Sequence, residues 1–329
     1  MKKNRVLKSF IILFIPALIF SRQRTYGHVS DINPPYIPWF TGSLLPPSAV
    51  NAKPGHPVIA PYFTLPLSYG EYDEHWHLHK TENTWGLNPF IEYLFGLNNF
   101  IGIDLYTSMI TNFKNGKSST HLEDSDVVIG FQLSQDDHHS WRPDIRLGYQ
   151  QTLPTGNYQK LDPEKKGIDS TGQGSFQRGA SLVVQKLFLV KKQFLLIKWA
   201  SSYMNAGSVH VEGYNTYGGG QGTYGKVRPG STTSFFTSME YSINQRWVFA
   251  FDFLYQQQSK STFHGENGHT KNGIENKVGL PRMTQISIAP EIEYNLTETS
   301  GFLFGLWGTI AGRNAAAFSS FVFAYYQAF

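Results

Sequence analysis

Hydrophobic and polar residues alternate along most of the chain, from about Val58 to the last residue. The clearest stretch runs from Trp247 to Gln256, where aromatic residues occupy every second position. A period of two is that of a β-strand, whose successive side chains point to opposite faces. We predict twelve strands, at residues 58–70, 84–97, 99–113, 123–135, 141–154, 178–191, 193–206, 232–244, 246–260, 282–296, 300–312 and 315–329.

The composition of the two strand faces indicates which solvent each face meets. One face carries aromatic and aliphatic side chains, whereas the other carries Gly, Ser, Gln, Thr and isolated charges. A soluble sandwich would have more Lys and Glu on its polar face, although alternation alone does not say which face meets lipid. An apolar outside and a polar inside are typical of a transmembrane β-barrel.

The predicted connections between strands alternate in length. Long connections span residues 71–83, 114–122, 155–177, 207–231 and 261–281, and short ones lie near residues 98, 192, 244–245 and 297–299. The connection at 312–314 is short where a long one is due. Short periplasmic turns and long external loops are typical of bacterial outer-membrane barrels, which have an even strand number. We predict an all-β fold, a monomeric transmembrane antiparallel β-barrel of about 12 strands over residues 58–329, surrounded by outer-membrane lipids.

The first residues have the pattern of an export signal. Four basic residues lie in the first eight positions, and an apolar run of 11 residues follows at 10–20. Such a run is too short to cross about 30 Å of hydrocarbon as a helix, which disfavours the alternative of a membrane anchor. We predict a signal peptide at residues 1–27, cleaved after Ser21 or Gly27.

A proline-rich segment separates the signal peptide from the first strand. Eight prolines lie between residues 33 and 61. Proline at this density prevents both a helix and a central strand. Residues 28–57 are therefore predicted to form a periplasmic tail, which is either a plain linker or a plug that enters the barrel.

The overall composition excludes several classes of protein. The chain has no cysteine, which excludes a disulfide scaffold, a thiolate metal site and a cysteine nucleophile. Its net charge of +4 comes mostly from the signal peptide, so no nucleic-acid-binding surface is predicted. We predict no cofactor. The 15% of aromatic residues beside only 16% of charged residues fits strands that face lipid.

The last strand resembles the C-terminal insertion signal of outer-membrane barrels. Phe321, Phe323, Tyr325 and Phe329 share one face, and the chain ends on Phe329. Residue Gln327 departs from the usual apolar residue two positions before the end. This resemblance implies recognition by the barrel-assembly machinery.

Charged residues on the predicted strands are the candidates for lumen and pore positions. By the alternation they are Glu92, Asp104, Arg146, Lys186, Lys198, Glu240, Asp252, Glu291 and Glu293. A charge that faced lipid would be costly, at about 2–4 kcal/mol for Arg or Lys at the midplane. Two interpretations stay open, namely a salt-bridge network that closes a narrow barrel and a polar pore with mild cation preference.

Alternating histidines form the candidate metal site. His75, His77 and His79 lie in the first predicted external loop, and on an extended backbone successive imidazoles are about 6.6–7 Å apart. Two of them could therefore share one metal ion, although a solvated polar loop is the favoured alternative. A second cluster at residues 136–139 is predicted on the periplasmic side as a polar turn.

One segment carries a resemblance to a known family. A strand is followed by Pro154, Thr155, Gly156 and Tyr158, then by a glycine-rich loop and another strand. This arrangement resembles the outer-membrane transporters of the phenol meta-degradation pathway. The resemblance implies a single barrel over residues 58–329 that moves small, often aromatic or hydrophobic compounds.

The predicted function is passive passage or uptake of small molecules through the barrel. A surface adhesin or structural envelope barrel is the alternative, acting through external loops 155–177 and 207–231. An outer-membrane lipid hydrolase is less favoured. Outer-membrane phospholipases have a His and a Ser two residues apart on a strand, and no His-x-Ser sequence occurs on a predicted strand here. No enzymatic activity is therefore predicted, and the solute stays unassigned.

Overall fold

The computed structural model describes Tyr36 and residues 38–137 and 140–329. The predicted signal peptide lies outside these residues. No helix within the described part of the chain is long and apolar enough to cross a membrane.

Twelve antiparallel strands of the described residues close into a barrel. Their order around the ring is β1, β2, β3, β5, β6, β7, β8, β11, β12, β14, β15 and β16, and β16 pairs with β1. The strands are β1 Val58–Tyr72, β2 Leu78–Gly96, β3 Ile101–Lys114, β4 Lys117–Leu122, β5 Ser125–Ser134, β6 Asp144–Leu153, β7 Gln177–Val190, β8 Gln193–Ala206, β9 Val209–Glu212, β10 Tyr224–Arg228, β11 Thr232–Ser242, β12 Trp247–Gln258, β13 Thr262–Glu266, β14 Met283–Asn295, β15 Ser300–Arg313 and β16 Ala315–Ala328. The predicted barrel is confirmed.

Closure of the ring leaves the barrel without a free strand edge. The seam starts with Val58 opposite Ala328 and continues to Tyr72 opposite Ala315. Because lipid offers no hydrogen bonds, every backbone N–H and C=O in the bilayer needs a partner within the protein, and a closed ring supplies them.

The long connections contain more structure than the alternation indicates. The first connection shortens to residues 73–77, because β1 and β2 continue as a hairpin beyond the predicted strand ends. Strand β4 pairs with β3, whereas β9, β10 and β13 form a separate three-stranded sheet. Four side chains form the apolar core beneath that sheet: Val209, Val211, Tyr217 and Val227.

The two faces of β12 show the inward and outward sides of the wall. Trp247, Phe249 and Phe253 are each close to 40% exposed, whereas Val248, Ala250 and Asp252 are fully buried. The aromatic face therefore forms part of an outward apolar belt, as the alternation predicts. Trp247 packs on Tyr294 of β14 with 4.5 Å between ring centroids. Such ring pairs favour offset or tilted geometries.

Residues 38–57 run along the inside of the barrel at the end with the short turns. The Asn295 side-chain amide donates to the carbonyl of Trp39, where this segment begins. After contacting β5 and β6 through Asn51, the segment returns to β2, where Pro54 bridges to Gly96 just before β1 starts. We call residues 38–57 the inner segment. It crosses the lumen between its contact with β14 and its contacts with β5 and β6.

Candidate functional site

Three backbone amides fix residues 41–45, which we call the first arm of the inner segment, to carboxyl groups of the wall. Thr41 N–H donates to Glu293 at 2.8 Å, and Leu45 N–H donates to Asp252 at 2.7 Å. Between them, Leu44 N–H donates to Glu291 at 3.1 Å. All three acceptors lie on β12 and β14 and are buried. Three successive bonds from backbone N–H groups therefore anchor this arm to β12 and β14.

Asn51 fixes residues 48–51, which we call the second arm of the inner segment, on the opposite wall. Its N–H donates to Gln132 at 2.8 Å, and its Oδ1 accepts from Arg146 Nε at 2.6 Å. Arg146 in turn donates to Asp104 at 2.6 Å. These side chains come from β3, β5 and β6, so one guanidinium joins two wall strands to the inner segment.

Two glycines of the wall make room for this arrangement. A Cβ at Gly130 would lie 2.1 Å from a guanidinium nitrogen of Arg146, and one at Gly102 would lie 2.7 Å from Asn51 Oδ1. Any larger residue would displace either the arginine or the inner segment.

Acidic side chains exceed basic ones beside the first arm. Lys198 Nζ lies 3.5 Å from Glu240 Oε1 and donates to Ser43 Oγ at 3.0 Å. Glu240 is 1% exposed, and its carboxylate accepts no hydrogen bond within the described residues. Lys198 is therefore the counter-charge that the described wall places against Glu240.

A cavity of about 910 Å³ lies between the inner segment and the wall. Part of its wall is aromatic, because Phe90 packs on Tyr62 at 5.2 Å and on Tyr106 at 6.0 Å between ring centroids. The hydroxyl of Tyr62 donates to Glu92 Oε2 at 3.3 Å. The cavity thus presents both apolar ring surface and charge.

A second cavity of about 480 Å³ lies toward the end with the long loops. Phe90, Tyr106 and Asp126 line both cavities. Glu123 accepts from Asn88 and Ser108, each at 2.7 Å, on one side of this space. The two cavities therefore follow one another along the lumen.

The loop between β6 and β7 reaches across the long-loop end. Its Glu164 lies 3.6 Å from Lys117 Nζ of β4 and also pairs with Lys271 of the β12–β14 connection. The hydrogen bond from Lys271, with the nearby Lys117 charge, lowers the pKa of Glu164. Because β4 and the β12–β14 connection belong to distant parts of the ring, this ion triad ties three connections together.

Eight of the nine predicted lumen charges lie on the inner face, and Lys186 does not. Ser181, Val183 and Gln185 are the inward residues of β7, with Gln185 opposite Lys198. Lys186 lies opposite Ile197, which is exposed on the outer face. The inward prediction for Lys186 was therefore wrong. Its Nζ pairs with Asp136 at 2.6 Å, in the short connection between β5 and β6, which satisfies the charge near the rim.

The three candidate metal-ligating histidines gather around one carboxylate. Asp73 accepts from the backbone N–H of His75 at 2.8 Å and of His77 at 2.9 Å, and its Oδ2 lies 2.9 Å from His79 Nε2. These bonds, with that from His79 the largest cause, hold the pKa of Asp73 far below its usual range. The described residues contain no group of three His, Asp or Glu side chains that could hold a metal ion. A two-histidine metal site stays a prediction.

The remaining predicted features are the C-terminal aromatic residues and the second cluster of acidic residues and histidines. Phe321, Phe323 and Tyr325 are on the outer face of β16, and Phe329 is 62% exposed. In the second acidic and histidine cluster, His138 and His139 lie outside the described residues.

Four aromatic residues of the lumen were missed, because only charged residues were taken as lumen candidates. They occupy inward-facing positions of their strands and are Tyr62, Phe90, Tyr106 and Tyr326. Their signal was the same period of two, applied to rings instead of charges. Asn51 and Gln132 had no such signal, because their pairing depends on where the inner segment lies.

Comparison with known proteins supports the fold. No protein-family model matches this sequence, and no curated protein matches it either. The structure is similar to an outer-membrane channel from Pseudomonas putida F1, with a TM-score of 0.65 and 10% identity, over 87% of this chain and 100% of that one. This match agrees, at the level of fold, with the family resemblance in the sequence.

Two further solved structures are more distant. The β domain of the Bordetella autotransporter BrkA has a TM-score of 0.41 at 10% identity, over 83% of this chain and 99% of that one. The toluene transporter TbuX of Ralstonia pickettii has a TM-score of 0.36 at 10% identity, over 83% and 89%. Similarity at this level carries no argument about function.

Proposed function

We propose that this chain is an outer-membrane barrel through which small molecules pass passively. The observation that carries the proposal is the closed barrel around a cavity of about 910 Å³, lined by polar and aromatic side chains. A lumen of twelve strands is wider than that of a filled eight-stranded barrel and narrower than an open porin. It is of the size that suits small solutes.

The proposed export route agrees with this location. Residues 1–27 are proposed to act as a signal peptide that is removed after transport across the inner membrane. The aromatic residues of β16, ending on Phe329, are proposed to be recognised by the barrel-assembly machinery. The short-turn end would then face the periplasm and the long loops the outside.

We further propose that the inner segment is a plug that narrows the passage. Its first arm rests on Asp252, Glu291 and Glu293, and its second arm on Gln132 and Arg146. Because bonds to both walls hold the segment across the lumen, a solute must pass beside it or displace it. These four charged residues of the lumen would then act mainly by holding the plug.

The proposal includes no catalytic step. The buried carboxylates Glu291 and Glu293 are occupied by backbone amides of the inner segment, and Asp104 is occupied by Arg146. These three carboxyl groups are therefore engaged in structural contacts. Solutes of the proposed passage are small molecules with aromatic or apolar parts, which fit the ring surfaces of the cavity.

Conductance across a planar bilayer tests passage and plugging together. The wild-type protein is compared with a variant in which residues 38–53 are replaced by a Gly–Ser linker of the same length. We expect a small conductance from the wild type and an increase of several-fold from the linker variant. Silence of both proteins, with barrels that are folded by heat-modified migration on a gel, would refute passage.

A reversible cross-link separates plug displacement from a general effect of mutation. The natural chain has no cysteine, and a Cβ at Gly301 would lie 2.5 Å from Thr41 Oγ1. A Thr41→Cys and Gly301→Cys pair should therefore form a disulfide that ties the segment to β15. Oxidation should lower the conductance and reduction should restore it, whereas each single variant should not respond. A plug that plays no part would give no response in the double variant.

A further inference from the structure

Glu92 is a carboxyl group of the cavity wall that forms no ion pair with a described residue. Asp104 is paired with Arg146, and Glu240 lies 3.5 Å from Lys198. Glu92 lines the same cavity, and no Lys, Arg or His of the described residues lies within ion-pair distance of it. The neutral hydroxyl of Tyr62 donates to it at 3.3 Å, and the hydroxyl of Tyr106 also bonds to it. Glu92 is therefore the carboxyl group of this aromatic side of the cavity that forms no ion pair within the described residues.

Aromatic rings surround this carboxylate on four neighbouring strands. Tyr62 comes from β1, Phe90 from β2, Tyr106 from β3 and Tyr326 from β16, and all four line the cavity. The rings of Tyr62, Phe90 and Tyr106 form a continuous row, with centroids 5.2 Å and 6.0 Å apart. Because these strands are consecutive around the ring, the aromatic patch and Glu92 face the cavity from one side.

This combination of groups has a definite chemical preference. The face of an aromatic ring is negative, and it attracts a cation that lies within about 6 Å of its centre. A nearby carboxylate adds direct charge attraction, which is stronger away from bulk water. Alkylated ammonium groups suit such a site because they carry charge on an apolar surface and need few hydrogen bonds.

A bare metal ion fits the site less well. Hard cations need six or more oxygen ligands at short distance, and ring faces supply none. The described residues contain no cluster of acidic or histidine side chains able to hold one. The aromatic patch therefore favours an organic cation over an inorganic one.

We propose that Glu92 and the rings of Tyr62, Phe90, Tyr106 and Tyr326 form a binding site for a small organic cation with apolar substituents, such as an alkylated ammonium. This site rests on the proposed passage, because it assigns a solute class to the same cavity. The ring faces hold the apolar substituents, and Glu92 balances the charge.

Two probes of the same shape isolate the contribution of charge. Choline carries a trimethylammonium group, and 3,3-dimethylbutan-1-ol is its neutral counterpart with carbon in place of nitrogen. Binding of each to the full-length protein in a non-ionic detergent is measured by isothermal titration calorimetry. We expect the wild type to bind choline at least about tenfold more tightly, a difference of about 1.4 kcal/mol.

Variants at the site and at a matched control position assign the effect to residues. Glu92→Gln should lower choline affinity about tenfold and leave the neutral probe unchanged, whereas Tyr106→Leu should weaken both probes. Glu298→Gln is the control, because Glu298 lines the same cavity but is exposed in the β14–β15 turn. It should leave both affinities unchanged.

The possible results separate this inference from the proposed passage. Equal binding of the two probes by wild type, or unchanged choline binding by a folded Glu92→Gln barrel, would overturn the cation site. Either result would leave the conductance of the linker variant as an independent measure of passage. Choline binding that depends on Glu92 would support the site even if no current were recorded.

Discussion

Arg146 and Asp104 form a buried ion pair across β6 and β3, with Nη2 and Oδ2 2.6 Å apart and both side chains at most 5% exposed. The same guanidinium donates through Nε to Asn51 of the inner segment. The pair therefore links the stability of the wall to the position of the segment inside it.

Removal of one partner should leave an uncompensated charge in the lumen. We expect Arg146→Met to destabilise the barrel by about 3–5 kcal/mol, the usual cost of breaking a buried pair from one side. Unfolding in urea from detergent or lipid vesicles measures the change. Arg178→Met is the control, because Arg178 is exposed on β7 and should change stability by less than about 0.5 kcal/mol. A double Asp104→Asn and Arg146→Met variant that is no more stable than the single one would contradict this account.

Loss of one backbone donor should loosen the inner segment. Leu45→Pro removes the N–H that donates to Asp252 at 2.7 Å, whereas Leu45→Ala keeps it. An intramolecular hydrogen bond contributes about 0.5–1.5 kcal/mol, so the first arm should open several-fold more often in the proline variant. Single-channel recording should show longer or more frequent open events for Leu45→Pro than for Leu45→Ala. Identical traces would mean that this bond does not hold the arm.

The ion triad at the long-loop end should restrain the β6–β7 loop. Glu164→Gln removes the charge shared by Lys117 and Lys271, and we expect faster hydrogen exchange across residues 155–176. Glu266→Gln is the control, because Glu266 is exposed on β13 and forms no ion pair within the described residues, unlike Glu164 with its two pairs. Both pairs are solvent-exposed, so the difference should fade at about 1 M salt, where the Debye length is about 3 Å. A difference that persists at high salt would refute an ionic restraint.

Acid should release the β1–β2 turn only well below the usual range for an aspartate. The pKa of Asp73 is lowered by its bonds from His79 and the His77 amide, so ionised Asp73 stabilises the turn above its unfolded pKa, and that contribution disappears as pH falls through the folded one. Asp73→Ala should therefore exchange the amides of His75 and His77 faster at neutral pH, measured by NMR. Glu74→Ala is the control, because Glu74 accepts neither amide. If the wild-type turn loosens near pH 4, the folded pKa is not depressed.

The outer face of β12 should reject charge. Phe253→Arg places a guanidinium near the middle of the strand, and we expect a loss of about 2–4 kcal/mol in lipid vesicles. Phe176→Arg changes a similarly apolar residue that is 62% exposed just before β7, so its cost should be much smaller. Equal losses at the two positions would place the bilayer away from residue 253.

The period of two was sufficient to predict the barrel. Each face of a wall strand meets one environment along its length, which is lipid outside and the lumen inside. It gave the wrong face for Lys186. This residue lies on the outer face near the rim, where its long side chain reaches Asp136 in the β5–β6 connection. The period of two also left open the fate of the proline-rich segment. Its contacts, such as Thr41 with Glu293 and Asn51 with Arg146, join residues far apart in sequence, and no local pattern encodes them.

The sequence pattern did not reveal the strands in the long connections for a different reason. Strands β9, β10 and β13 are only 4–5 residues long, and they gain stability from a shared core around Tyr217. A short segment of this kind becomes a strand through its neighbours in three dimensions, since intrinsic propensity alone is too weak.

The inner segment is continuous with β1, and β1 is also the strand that completes the ring by pairing with β16. Its bonds reach β14, about 250 positions later in the chain, since Thr41 contacts Glu293. The last strands to be synthesised must therefore be in place before the first arm can dock. Assembly consequently has an order. Either the sheet closes around residues 38–57, or the barrel closes first and these residues then enter it through one end.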